Sequence, residues 1–342
     1  MRKLEPKLDE VRALLREMPG PDAGAEAAAR TRQAELATLP GGLGRLADLA
    51  VWLATWQGAQ PPRMERPRVA VFAANHGIAA RGISLCPAAT TGQMVKALVA
   101  GGGAVNQLAA MVNADLRVYE MALEQPTADF TQGPAMSEED CARALSYGMM
   151  AVEEGYDVMA LGDLGVANST SAAALCHALF GGEAAEWIGK PLSVDPEMRA
   201  RAVAVVEEGV VANRSAFIDP FEVLRTLGGL ELAAVVGAIL ACRLGRIPVV
   251  LDGFVCSAAA AVLHAVDPQL LDHCVVAQPA AGGGHARLME RLGKRPLLDL
   301  EMEVGEGVGG ALAIQLLQGA VACHNGMATR AEAGLPKEWR SQ

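Results

Sequence analysis

The sequence predicts an α/β fold: three layers, α/β/α, about a mainly parallel sheet, with a smaller helical domain formed from the N- and C-terminal segments. Three observations predict it. From Arg68 onward, short apolar runs that end in Gly-, Asn- or Asp-containing turns alternate with longer Ala-rich segments, the pattern of β-α-β units whose sheet is covered on both faces. The 342 residues are 51% hydrophobic but only 4% aromatic, so Ala, Val, Leu and Gly fill the core, favouring tight α/β packing over an aromatic-rich sandwich. Both chain ends have helical composition and can pack on each other.

In chain order, Leu4 to Met18 is amphipathic and broken by Pro19-Gly20-Pro21; Ala23 to Leu39 resumes a helix that Pro40-Gly41-Gly42 ends; a third runs from Gly44 to Trp56. Gln57 to Arg68, with three prolines, connects to a different architecture. Val69 to Ala74, Leu116 to Tyr119, Val158 to Leu161, Ile247 to Leu251, Cys274 to Ala277 and Leu297 to Leu300 read as strands. Thr91 to Ala110, Ser137 to Glu154, Ser169 to Phe180 and Leu230 to Leu244 read as helices between them, and Gly310 to Ala333 as a closing one. The expected units are residues 1–62 and 310–342 for the small domain and 63–309 for the α/β domain. Ligands of such sheets bind beyond the carboxyl ends of the strands.

Composition removes several function classes. With 29 basic and 39 acidic residues the net charge is −10, and no Lys/Arg cluster supplies the phosphate neutralisation a nucleic-acid partner needs. The longest apolar run, Ala233 to Cys242, falls short of the roughly 20 residues that cross a bilayer, so no membrane insertion is expected. The start carries charges of both signs and lacks a signal peptide's apolar core, so the expected location is cytoplasmic. Seven scattered cysteines without C-x-x-C spacing argue against a disulfide framework and a structural zinc site; they are expected mostly as buried small hydrophobes.

Polar residues concentrate at strand ends. Asn75-His76-Gly77, followed by Gly82-Ile83-Ser84 and Gln93, is placed for substrate contacts, although His76 would serve equally to fix its loop. Gly162 to Ser171 runs from a strand into a helix opening with Asn168, Ser169, Thr170 and Ser171, an arrangement that suits a phosphate or is an ordinary helix cap. Asp252 either holds a ribose hydroxyl or caps the next helix. The glycines before His285, Gly283 among them, allow close backbone approach to a ligand, while His285 itself is a candidate surface residue. Gly305, Gly307 and Gly310 spell G-x-G-x-x-G, but Glu306 would put a negative charge into a pyrophosphate cradle and no second strand with a terminal acid follows. A better use makes Glu306 a carboxylate in a Gly-rich pocket, its proton affinity raised by partial burial, acting as general base; Glu301 and Glu303 are alternatives on the same stretch.

Taken in order, Phe72-Ala-Ala-Asn-His-Gly77, Gly82 to Gln93-Met94, Gly101-Gly-Gly-Ala-Val-Asn106, Gly162 to Ser171, Gly228-Gly-Leu-Glu-Leu-Ala-Ala234, Val250-Leu-Asp-Gly-Phe254 and Gly305-Glu-Gly-Val-Gly309 resemble the nicotinate-nucleotide–dimethylbenzimidazole phosphoribosyltransferase family. Leu39 to Leu46 and Asn325 to Ala333 resemble its terminal signatures, so the likeness spans about residues 39 to 335. The resemblance implies a homodimer of two-domain subunits. It implies transfer of the 5-phosphoribosyl group of nicotinate mononucleotide to 5,6-dimethylbenzimidazole, without metal. Glu306 falls on the family's base, and Gly165 to Ser171 would receive the phosphate. Asp163 stands where the family has Glu, a possible second carboxylate; Asn75 replaces Asp, Ala167 replaces Gly, and the region after Gly189-Lys190 is shorter. With Ser84, Gln93 and Met94 as candidate lining, and few aromatics in the chain, the acceptor pocket is expected to be aliphatic and Met-rich. The alternatives are a relative that uses another lower-ligand base and a silent nucleotide-binding protein.

Overall fold

The computed structural model describes residues 7–189, 196–280 and 283–336. The chain opens with α1 (Leu8–Leu14), α2 (Ala23–Glu35) and α3 (Arg45–Gln57), then enters β1 (Pro67–Ala73). After α4 (Ala89–Val99) and α5 (Ala104–Met111) come β2 (Asp115–Glu120), α6 (Glu138–Met150), β3 (Val158–Leu164) and α7 (Asn168–Phe180). Next are α8 (Ala184–Trp187), α9 (Pro196–Asn213), α10 (Pro220–Leu227), α11 (Leu230–Leu244) and β4 (Val249–Leu251). Then α12 (Gly253–Val266), β5 (Cys274–Val276), α13 (Gly283–Leu292) and α14 (Val308–Gly326) complete the described elements.

The five strands form one parallel sheet in the order β2-β1-β3-β4-β5. Alternation along the strands sorts the core into two faces. Ala70, Phe72, Met159, Leu161, Val249 and Leu251 pack with α6, α7, α11 and α12, while Val69, Val71, Val158, Ala160 and Val250 pack with α3, α5 and α14. Burial on both faces is why these strands read as continuous apolar runs. The strand order reverses between β1 and β3, which places the crevice for a ligand at their carboxyl ends.

Three expectations are corrected. Leu297 to Leu300 is not a strand: Pro296 lacks an N–H, and the segment only hangs Leu297 and Leu298 amides on the carbonyls of Val276 and Ala277 (2.8–3.1 Å). Thr91 to Ala110 is two helices, because Gly101, at φ +84°, ends the first and Gly103 opens the second, with Asn106 Oδ1 accepting the Gly103 N–H at 2.8 Å. The last helix starts at Val308 and stops at Gly326.

The two chain ends meet. Leu36 and Thr329 form an antiparallel bridge, Arg330 N–H donates to Glu35 O at 2.7 Å, and buried His324 lies between the side chains of Gln33 and Gln60 (2.8 and 2.9 Å). The helix α14 is also a layer of the main body, lying against β1, β3 and β4.

Candidate active site

A cavity of about 350 Å³ opens at the carboxyl ends of β3, β4 and β5. Three helix N-termini converge on it: Asn168, Ser169 and Thr170 from α7, Gly253 to Val255 from α12, and Gly284 with His285 from α13. Aligned peptide dipoles make a helix N-terminus favourable to an anion; at α7 the Asn168 and Thr170 N–H groups already donate to Gly165 O and Ala167 O at 3.3 and 3.1 Å. Arg199 on α9 is the one guanidinium or ammonium among the described lining residues. It was not foreseen; its signal was a basic residue just inside a helix, with no motif around it. A larger cavity of about 670 Å³ lies past β2, between Met121 and Leu230, and holds none of the expected site residues.

Asp163, the penultimate residue of β3, stands at the cavity wall. Its Oδ2 accepts from Asn168 Nδ2 at 2.8 Å and its Oδ1 from Cys256 Sγ at 3.4 Å. Burial, reinforced by the nearby charge of Glu231, pushes the Asp163 carboxyl up to about 7. Glu306 follows Gly305, which lines the same cavity. Its backbone N–H donates to the Asp163 carbonyl at 3.1 Å, and partial burial raises its carboxyl above the usual range. The turn lies flat on β3 because Gly162 has no side chain: a Cβ there would stand 2.3 Å from the Gly307 nitrogen. Two of the G-x-G-x-x-G glycines are explained by backbone conformation and packing, while a Cβ on Gly305 would meet nothing nearer than 3.7 Å. Gly307 has φ +81°, and a Cβ on Gly310 would stand 2.8 Å from that of Ala160.

Of the expected residues, Asp163, Asn168, Ser169, Thr170 and Gly305 share this wall, with Glu306 adjoining it. Others are placed elsewhere by packing. Ser171 is enclosed and gives its hydroxyl to Leu227 O, so it does not face a phosphate. Asp252 is fully buried, with Oδ2 on the Gly309 N–H at 3.1 Å, and its side chain does not cap its own following helix. His76 is buried with Nε2 2.6 Å from Glu231 Oε1, and Asn75 Nδ2 donates to Leu123 O at 2.9 Å. Ser84 accepts the Cys86 N–H at 3.4 Å, and Gln93 is exposed on α4. Gly165 and Gly307 are seats for backbone, a Cβ on Gly165 falling 2.7 Å from Ala74 O. Gly283 begins α13, and its neighbour Gly284 reaches the cavity. The shortened region after Gly189-Lys190 lies outside the described residues.

Two further corrections concern side chains. His285 is buried: Nδ1 accepts the Ala280 N–H at 2.7 Å, Nε2 meets Ser257 Oγ at 2.9 Å, and burial lowers its pKa to about 4, so it is a neutral pin for the cavity wall. The lining is also less aliphatic than expected, since Trp187 and Phe254 join Met198 and Met302. Glu231 is a residue the sequence reading passed over. It is the lone carboxylate opening the apolar segment Leu230–Leu244, and that contrast was its signal.

A parallel sheet with a cavity at the carboxyl ends of its strands, three helix N-termini and two carboxyls of raised proton affinity fits an α/β enzyme. Comparison with known proteins gives the particular family. A family model described as Phosphoribosyltransferase matches residues 18–335. The nicotinate-nucleotide–dimethylbenzimidazole phosphoribosyltransferase of Ruegeria sp. (strain TM1040) is 52% identical over 328 residues, covering 96% of this chain and 97% of its own. The enzyme of that name from Methylocella silvestris is 50% identical, covering 95% and 96%. A crystal structure of the Thermus thermophilus enzyme superposes with a TM-score of 0.85 at 36% identity, covering 92% of this chain and 99% of that one. This chain belongs to the nicotinate-nucleotide–dimethylbenzimidazole phosphoribosyltransferase family.

Proposed function

We propose that the protein transfers the 5-phosphoribosyl group of nicotinate mononucleotide to 5,6-dimethylbenzimidazole, releasing nicotinate and giving α-ribazole 5′-phosphate for the nucleotide loop of cobalamin. The observation that carries this reading is Glu306: a half-buried carboxylate of raised proton affinity, fixed in a turn beside the anion cavity. The nicotinate ring nitrogen is already quaternary, so it leaves without a proton. The difficulty lies with the acceptor, whose N–H proton must go as its other nitrogen attacks. Glu306 takes that proton. Asp163, titrating about 7, is in part neutral at physiological pH, so Glu306 does not face a full second negative charge. The N-terminal ends of α7 and α13, with Arg199, receive the 5′-phosphate. In this reading the subunit works as a cytoplasmic homodimer without cofactor or metal, and residues 1–62 and 310–342 form a small domain on residues 63–309.

Acceptor chemistry provides the test. 1-Methylbenzimidazole attacks through its free nitrogen with no proton to lose, and the product is a benzimidazolium. Replacing Glu306→Gln is expected to slow turnover of dimethylbenzimidazole by about 10²–10⁴-fold, read by product mass, while the variant-to-wild-type ratio on 1-methylbenzimidazole stays near unity. Unchanged turnover of dimethylbenzimidazole would sink the assignment.

A further inference from the structure

Asp252 lies between β4 and α12, yet its side chain makes no cap bond to that helix. It reaches instead across the sheet to α14. Its Oδ2 accepts the Gly309 N–H at 3.1 Å, and the amides of Gly307 and Gly310 also bear on the carboxylate. These groups belong to the first turn of α14, whose N–H groups have no intrahelical partner. Gly309 makes the approach possible, since a Cβ there would stand 2.5 Å from Asp252 Oδ1. The turn that this bond anchors carries two successive left-handed residues, Glu306 at φ +61° and Gly307 at φ +81°. A glutamate holds such a backbone only where its surroundings over-determine it. Two of the constraints come from β3, through the Asp163 carbonyl and Gly162. The third is Asp252.

We propose that Asp252 is a positioning residue for the reaction, capping α14 and thereby fixing the turn that sets where the Glu306 carboxylate stands. The inference rests on Glu306 being the base. Asp252, a buried acid with no exposure to the cavity, acts only through another side chain. It contacts neither substrate, so its loss changes the rate of the proton-transfer step and leaves nucleotide binding intact.

The test uses the full-length enzyme with nicotinate mononucleotide and dimethylbenzimidazole. Asp252→Ala is expected to lower kcat by about 10²-fold, the effect of a small misplacement of a reacting group, with both KM values within about threefold of wild type. Asp252→Asn keeps an oxygen for the Gly309 N–H and is expected to restore kcat to within about tenfold of wild type. The double variant Asp252→Ala, Glu306→Gln is expected to be no slower than Glu306→Gln alone, because a residue that acts only through Glu306 has nothing left to position. Should Asp252→Ala not fold, Gly309→Ala displaces the carboxylate from the other side and carries the same expectations. A wild-type kcat, multiplying losses in the double variant, or a raised nucleotide KM at unchanged kcat would overturn the proposal, the last by returning Asp252 to the ribose. A Glu306→Gln enzyme active on dimethylbenzimidazole would overturn the base itself, which separates the two failures.

Discussion

Asp163 carries the most informative ionisation in the molecule. An unfolded Asp titrates at about 3.9, whereas burial and Glu231 hold the folded group up to about 7. Between those values the unfolded chain loses the proton while the native chain keeps it, so this residue's contribution to stability falls as pH rises from about 4 to about 7 and is flat above. Asp163→Asn removes the titration. Its unfolding free energy in urea, relative to wild type, is expected to climb across that window by at most about 1.4 kcal/mol per pH unit; an offset that is the same at pH 5 and pH 8 would contradict this. The individual roles were unevenly legible. Composition did not choose among Glu301, Glu303 and Glu306; the family resemblance singled out Glu306. The roles of Ser171 and Asp252 were not legible, because a serine or aspartate at an element end has the same sequence signature whether it caps a helix, buries a hydrogen bond or binds a ligand. Ala167 takes φ +71°, so the turn before α7 keeps a left-handed residue despite the loss of the family's glycine.

At the scale of elements, the site is a matter of how closely α14 approaches β3. Gly162, Gly307 and Gly310 remove the side chains that would separate them. A Cβ on Gly162 would meet backbone atoms of the Glu306 turn, which no rotamer change can relieve. Gly162→Ala is therefore expected to cost about 1–3 kcal/mol of stability and to depress kcat, read by chemical denaturation and steady-state rates; a variant with native stability and rate would show that the turn is not seated there. The strands were legible where both faces are buried, as in Val69 to Ala74, since an unbroken apolar run of that length has little else to be. Leu297 to Leu300 has the same composition, but it makes only end-on bonds to β5, and pairing is not written in composition. The split at Gly101 was visible in its three glycines and lost to the helical composition on either side.

At the scale of the whole molecule, the five-stranded order and the joined chain ends leave one functional edge, the carboxyl ends of the strands, and most of what the sequence marked as polar and Gly-rich is found there. The order of the strands itself was not readable from one sequence, because it depends on which helix covers which face. Among the described residues, no helix is long and apolar enough to cross a membrane. A chain of net charge −10 that binds an anionic nucleotide must attract it locally. The proposed place for that attraction is the cavity on which three helix N-termini and Arg199 converge.

The convergence of those helices has a consequence in ionic strength. Attraction by exposed lysines or arginines weakens as salt shortens the Debye length from about 30 Å at 0.01 M to about 8 Å at 0.15 M. Peptide dipoles ending in a recess donate through fixed N–H groups at contact distance, where mobile ions do not intervene. The KM for nicotinate mononucleotide is accordingly expected to change by less than about threefold between low and physiological salt; a steep rise would transfer the recognition to surface charge. With recognition held inside the recess, the enzyme is indifferent to the salt around it while its net negative charge keeps polyanions away.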